Sequence, residues 1–243
     1  MDNNFSSIRK LIKLVSVLLF VAAIAISHLA FSTTISAQDS PKRFDFLVRE
    51  DFFAGLAGDQ QRFDKAMKVC EETLAKNQKH AEAMVWHGGG VLMQAGWAFQ
   101  AGDMRKGGAL WQKGLDEMNA AVALEPDNVG VLIPRAAVLL EASKHVPMAG
   151  AARELLETAV NDYEKVLRLQ QSYFDKLSTH SRGELLSALG SGWHRLGDLK
   201  KAEDYFKRLA KECAGTPYAE KAQFWLEKKT LPQNQSCSGC HAG

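Results

Sequence analysis

The sequence predicts an all-α chain: about four antiparallel helix pairs and a closing helix, piled in series. Apolar residues recur at spacings of three and four along most of the chain from residue 44 to 229, which is the period of one helix face. No run alternates with period two for long enough to form a strand. Short Gly-, Asp- or Pro-containing breaks separate the periodic stretches, so consecutive helices have to fold back on each other.

The clearest pair runs from Leu186 to Phe206. Leu186, Leu189 and Trp193 share a face. Gly197-Asp198 ends the helix, since Gly accepts a left-handed backbone and Asp caps the next start. Leu199, Ala202, Phe206 and Leu209 are expected to form the apolar stripe of the return helix, with Lys200, Lys201, Glu203, Asp204 and Lys207 left for water. Small Gly190 and Ala202 allow a close approach.

The spacing Leu186-x2-Leu189-Gly190-x2-Trp193, then Ala202-x3-Phe206 and later Pro217, resembles the tetratricopeptide repeat (TPR) pattern Trp-x2-Leu-Gly-x2-Tyr, Ala-x3-Phe, Pro. Leu186 replaces the usual Trp, Trp193 the usual Tyr, and Pro217 comes slightly late. The resemblance implies a right-handed superhelix whose concave groove holds a peptide or another protein. One hairpin cannot bury its own apolar face, so similar neighbours are required.

The chain begins differently. Arg9, Lys10 and Lys13 precede the apolar run from Leu14 to Ile26, and Ile35-Ser36-Ala37 offers small residues for cleavage, the layout of a secretory signal peptide over residues 1–37. The uninterrupted run of thirteen residues is short for a membrane span, which needs about twenty residues; an uncleaved anchor is the alternative. The whole chain has 30 Lys plus Arg against 28 Asp plus Glu. Loss of three bases and Asp2 leaves 27 of each, interspersed along the mature chain. Such a balance lacks the clustered basic excess of a nucleic-acid surface. An exported, periplasmic location is expected, with no membrane span after cleavage.

Residues 38–43 read as a flexible lead. A first helix is expected on Phe44, Leu47, Phe52, Phe53 and Leu56, ending near Gly58-Asp59. Its partner carries Phe63, Ala66, Met67, Cys70 and Leu74. The next helix, His80 to Phe99, contains Gly88-Gly89-Gly90, and each helical glycine costs about 1 kcal/mol relative to Ala. Either the helix kinks there or close packing offsets the loss. Asp103 to Leu124 returns and ends at Glu125-Pro126-Asp127-Asn128, where Pro cannot continue the helix. Val129 to Ser143 and Ala149 to Leu169 form the following pair, the longer helix with Leu155, Leu156, Ala159, Tyr163, Val166 and Leu167 on one face. After the Leu186 hairpin, Thr216 as cap and Pro217 in the first turn start the closing helix.

Chemistry concentrates in the tail, residues 230–243. Cys237-Ser238-Gly239-Cys240-His241 has the spacing of the c-type haem attachment motif. Two thiols three residues apart each reach one vinyl group of a haem, and the following His ligates the iron. Cys237, Cys240 and His241 are therefore the candidate cofactor-binding residues, with His241 the metal ligand and haem c the cofactor. A Cys237 to Cys240 disulfide or a redox-active dithiol are the alternatives. Zinc wants four ligands, usually from a second paired motif that the sequence lacks.

A c-type cytochrome domain normally continues well past this motif, whereas Ala242-Gly243 end this sequence. A second iron ligand then has to come from upstream, from a partner or from water. His194 is the upstream candidate, off the stripe of the best hairpin; a surface His without a partner is the plainer reading. His80, His87, His145, His180 and Met148 have weaker claims. Cys70, Cys213 and the five tryptophans read as core.

The sequence contains no nucleophile elbow, phosphate loop or His-Glu-x-x-His, so no catalytic residues are expected. The leading reading is an exported scaffold with one covalent haem on a C-terminal tether, for electron transfer or docking to a redox complex. The alternative is a non-redox envelope scaffold whose Cys pair is idle or oxidised.

Overall fold

A computed structural model describes residues 43–231, in which nine α-helices follow one another and no strand occurs among the described residues. They are α1 Asp45–Leu56, α2 Gln60–Lys76, α3 Ala81–Gln100, α4 Met104–Leu124, α5 Val129–Ala142, α6 Ala149–Gln170, α7 Thr179–Leu196, α8 Leu199–Glu212 and α9 Pro217–Lys228. A 3-10 turn, Gln171–Lys176, follows α6. The four pairs α1/α2, α3/α4, α5/α6 and α7/α8 are hairpins, and α9 packs on α8 and α7. The expected all-α series of four pairs and a closing helix is borne out.

Three of the four hairpins turn on the same dipeptide. Gly58-Asp59, Gly102-Asp103 and Gly197-Asp198 each place glycine at positive φ (+103°, +82° and +89°), and each Asp caps the return helix. Asp59 accepts from the Arg62 amide at 3.1 Å, Asp103 from Lys106 at 2.9 Å and Asp198 from Lys201 at 3.0 Å. Only glycine takes the left-handed turn without steric cost, and the carboxylate satisfies an amide that the helix start leaves open. The Gly-Asp breaks legible in the sequence thus recur as one turn geometry in three hairpins.

The core is divided along the stack, and the odd-numbered helices α3 and α5 serve two cores at once. Ala83 and Val91 of α3 join Phe52, Phe63, Met67 and Cys70 in the first core, while Ala81, Val85 and Leu92 join Met118, Val131 and Leu139 in the second. Leu132 and Ala136 of α5 belong to the third, with Leu156, Val160, Leu186, Leu189, Phe206 and Trp225. A helix between two neighbours has little face left for water, which is why α3 contains the single charged residue Glu82 and α5 only Arg135 and Glu141. Helices α2 and α8 bury one stripe and are heavily charged elsewhere.

The same sandwiching explains the triple glycine. Helix α3 runs unbroken through it, so close packing, not a kink, is the answer. Successive residues point about 100° apart around a helix. A Cβ on Gly88 would meet the Gly114 carbonyl of α4, one on Gly89 Val138 of α5, and one on Gly90 Met67 and Phe52. The approach of Gly88 to Gly114 is backbone to backbone: a Cβ on Gly114 would lie 2.7 Å from the Gly88 oxygen and 3.0 Å from the Leu92 amide nitrogen.

Gly114→Ala is accordingly expected to destabilise by about 1–3 kcal/mol through overpacking, against a helix-propensity gain of about 1 kcal/mol. Gly96→Ala, with no atom within 4 Å of the added methyl, is expected to stabilise by up to about 1 kcal/mol. Urea midpoints of the two variants should therefore move in opposite directions. Equal movement would contradict the close approach.

Several local expectations need correction. In α1 the buried face is Phe44, Val48 and Phe52; Leu47 and Leu56 are exposed. Leu199 is half exposed, because it stands at the first position of α8, outside the groove that holds Ala202, Phe206 and Leu209. Thr216 stands at the cap of α9 with Pro217 in the first turn, as expected, but its side chain makes no capping bond; its hydroxyl donates to the Cys213 carbonyl at 2.6 Å.

Candidate functional site

The expected signal peptide, residues 1–37, and the motif residues Cys237, Cys240 and His241 lie outside the described residues. What the structure defines is the point from which the tail departs. Lys229, at φ +55°, ends α9. Its ammonium bonds Glu203 at 3.0 Å and sits 4.7 Å above the Trp225 ring. Lys207 and Lys229 together hold the Glu203 carboxyl down to about 2. Leu231 packs against the third core. The expected tether from Leu231 to Ser236 is thus shorter at its root, because an apolar side chain at its start gains by joining a core within reach.

The upstream candidates are brought to this region in one case only. His194 is partly buried, contrary to a surface His without a partner, and its Nδ1 accepts from the Trp225 indole N–H at 3.2 Å. An indole nitrogen only donates, so Nδ1 is the bare nitrogen and Nε2 carries the proton in the neutral ring. A metal-bound His has the reverse arrangement, with its free nitrogen donating outward. His194 is therefore built as a structural acceptor for Trp225 and is not set up as an iron ligand.

The other candidates are also engaged or remote. His80 caps α3 through Nδ1, accepting from the Ala83 amide at 3.2 Å. His87 is buried with Nδ1 2.6 Å from Glu117 and Nε2 3.9 Å from Glu71. His145 pairs with Glu141, and His180 with Tyr218. Met148 is exposed at the start of α6, far along the chain from the tail's root. Cys70 and Cys213 are free and buried in separate cores. Burial pushes the Cys70 thiol up to about 12 and raises Cys213 as well, so both stay protonated and act as small apolar fillers. No group of three His, Cys, Asp or Glu among the described residues could hold a metal ion.

Polar knots that periodicity does not reveal tie the hairpins together. Glu164 of α6 accepts from Trp193 Nε1 at 2.8 Å and from the Tyr205 hydroxyl at 2.8 Å, joining the third hairpin to the fourth. Burial, then the bond to this carboxylate, raises the Tyr205 pKa. Arg195 donates to the Leu140 carbonyl at 3.0 Å and to Ser143 Oγ at 2.8 Å across the same joint. Arg135 holds Asp162 with two bonds of 2.7 Å and Asn119 at 3.0 Å, linking α4, α5 and α6. A stack in which each unit touches its neighbours needs such links at every joint.

Burial lowers the pKa of His194 from its ordinary 6.5. The unfolded chain then takes up the proton first as pH falls, so this residue's contribution is intact above about 6.5 and is lost as pH drops through the folded value. Wild type is expected to lose more stability between pH 7.5 and 5 than His194→Gln, whose amide oxygen can still accept from Trp225. Identical pH profiles from urea unfolding would remove this role.

The fold and its joints define an all-α stack of four helical hairpins closed by α9. Among solved structures the chain is similar to a thermophilic TPR protein of Thermus thermophilus, at 20% identity over 76% of this chain and 82% of that one, with a TM-score of 0.47. No family model and no curated protein matches the chain. Among the described residues no helix is long and apolar enough to cross a membrane.

Proposed function

We propose that this chain is an exported protein-binding scaffold that carries one covalent haem c at its C-terminal end, for electron transfer or docking to a redox complex. The observation that carries the reading is Cys237-Ser238-Gly239-Cys240-His241, placed just beyond a helical stack that is already closed by α9. Cys237 and Cys240 would form the thioether bonds and His241 would ligate the iron; the donor chemistry fits the group. When bound, haem supplies one-electron transfer.

The chain's own contribution is position. Five residues separate Leu231 from Cys237, so Cys237 lies within about 22 Å of the packed Leu231. That range keeps the attachment point at the α9 end and leaves the faces of the earlier hairpins for a protein partner. His194 is committed to Trp225, so a second axial ligand would come from elsewhere.

Expression with cytochrome c maturation machinery tests this. Denatured protein is expected to keep a haem absorbance band that Cys237→Ala and Cys240→Ala reduce or abolish. N-terminal sequencing of the periplasmic product is expected to begin at Gln38. Wild type without bound haem would leave a non-redox scaffold.

A further inference from the structure

The two ends of the stack differ. A terminal unit has a neighbour on one side only, and its outer face is normally polar. Helix α9 closes the last hairpin, whereas at the other end α1 packs on α2 and α3 and presents apolar side chains outward. Phe46, Leu47 and Leu56 are 49%, 46% and 57% exposed. Apolar side chains grouped on an outward face, unlike ones scattered singly, mark an interaction surface.

The charges on that face say what covers it. Spacings of three, four and seven place Phe46, Arg49, Glu50 and Leu56 on one side of α1. The Arg49 guanidinium lies 5.4 Å from the Phe46 ring centre and 3.4 Å from Asp45, a carboxylate that also holds Arg43 at 2.9 Å. Glu50 is exposed and has neither hydrogen bond nor ion pair among the described residues. A base and an unpaired acid thus stand side by side at the middle of an apolar face.

We infer that α1 pairs with α1 of a second copy of this chain, antiparallel about a twofold axis between residues 49 and 50. In that register Arg49 faces the partner's Glu50 and Glu50 faces the partner's Arg49, with Phe46 and Leu56 along the seam to either side. A parallel pair would set Arg49 against the partner's Arg49, and like charges in apposition are costly. The face is therefore complementary to itself in the antiparallel sense, and a twofold contact of this kind closes at the dimer. A helix of 12 residues spans about 18 Å. That footprint is smaller than the ~800 Å² per partner of a standard interface, so a weak dimer is expected, with a dissociation constant on the order of 100 µM. The inference is independent of haem attachment and of the tail.

Sedimentation equilibrium of the purified protein from about 10 µM to 1 mM tests it, and a monomer–dimer equilibrium is expected. Phe46→Ser should weaken the dimer about tenfold or more, since the side chain is exposed in the monomer and its loss leaves the fold intact. Glu50→Arg and Arg49→Glu should each weaken it to a similar degree with unchanged circular dichroism, Asp45 keeping Arg43 in the second variant. An equimolar mixture of these two variants should regain wild-type affinity, because each copy then supplies the charge that the other lacks. A wild type that stays monomeric throughout, as it would if the chain's own leader covered the face, would overturn the assignment. So would Phe46→Ser dimerising like wild type, or a mixture that associates no better than its parts.

Discussion

Asp162→Ala is expected to cost about 3–5 kcal/mol, the effect of stripping one partner from a buried ion pair. Asp162 and Arg135 have side chains 8% and 12% exposed, and both carboxylate oxygens accept from the guanidinium at 2.7 Å. Truncation leaves a cation inside the stack whose remaining hydrogen bond is the one to Asn119 at 3.0 Å, among the described residues. The pair as a whole contributes far less than the loss of one member removes, because desolvating two charges offsets most of their attraction. Asp162→Leu combined with Arg135→Met should therefore recover most of the lost stability. Urea unfolding of the single and double variants decides it. A single variant within about 1 kcal/mol of wild type would mean that Arg135 finds water.

Trp225→Ala is expected to cost a similar amount, about 3–5 kcal/mol, the range for emptying a fully buried aromatic site. The indole is wholly buried, stacks on Phe206 with ring centres 4.7 Å apart, and gives its N–H to His194. Its loss opens the joint between the closing helix and the last hairpin. Because the stack is serial, the damage should be local. Hydrogen exchange is expected to rise first in α9, then in α8 and α7, while α1 and α2 keep their protection. Uniform loss of protection along the chain would show one cooperative globule in place of a stack.

The contrast between these residues explains what could be read beforehand. Phe63, Ala66, Met67 and Cys70 were legible because α2 buries one stripe, and a helix with one wet face writes its period into the sequence. Leu186, Leu189, Phe206 and Leu209 were legible for the same reason. Periodicity points to Leu47 where Val48 is buried, because α1 is apolar on several sides and a period cannot choose between faces that are all apolar. The glycines of α3 are a weakness by helix propensity alone, and Gly114, Val138 and Phe52, which face them from other helices, are the reason for them. Arg135, Asp162, Glu164 and Trp193 bear no local mark of their pairing, since their partners lie 27 to 29 residues away.

The candidate chemistry divides along the same line. The tail motif is local, five residues whose spacing alone matches the vinyl groups and iron of a haem. His194 showed the opposite case: its tautomer, and so its unfitness as a ligand, depends on an indole 31 residues on. The open face of α1 is local in its residues but not in its exposure, which follows from the neighbour that α1 lacks on that side.

By itself the sequence determined that the chain is helical, where each helix turns back, and that two thiols and an imidazole stand together near its end. These are properties of residues within one or two turns of each other, where backbone geometry and short spacing decide the outcome. Only the tertiary structure decided which apolar face is buried, which charges are paired inside and which apolar face is left open. Burial and pairing depend on what the neighbouring hairpin brings, and that neighbour is distant in the chain.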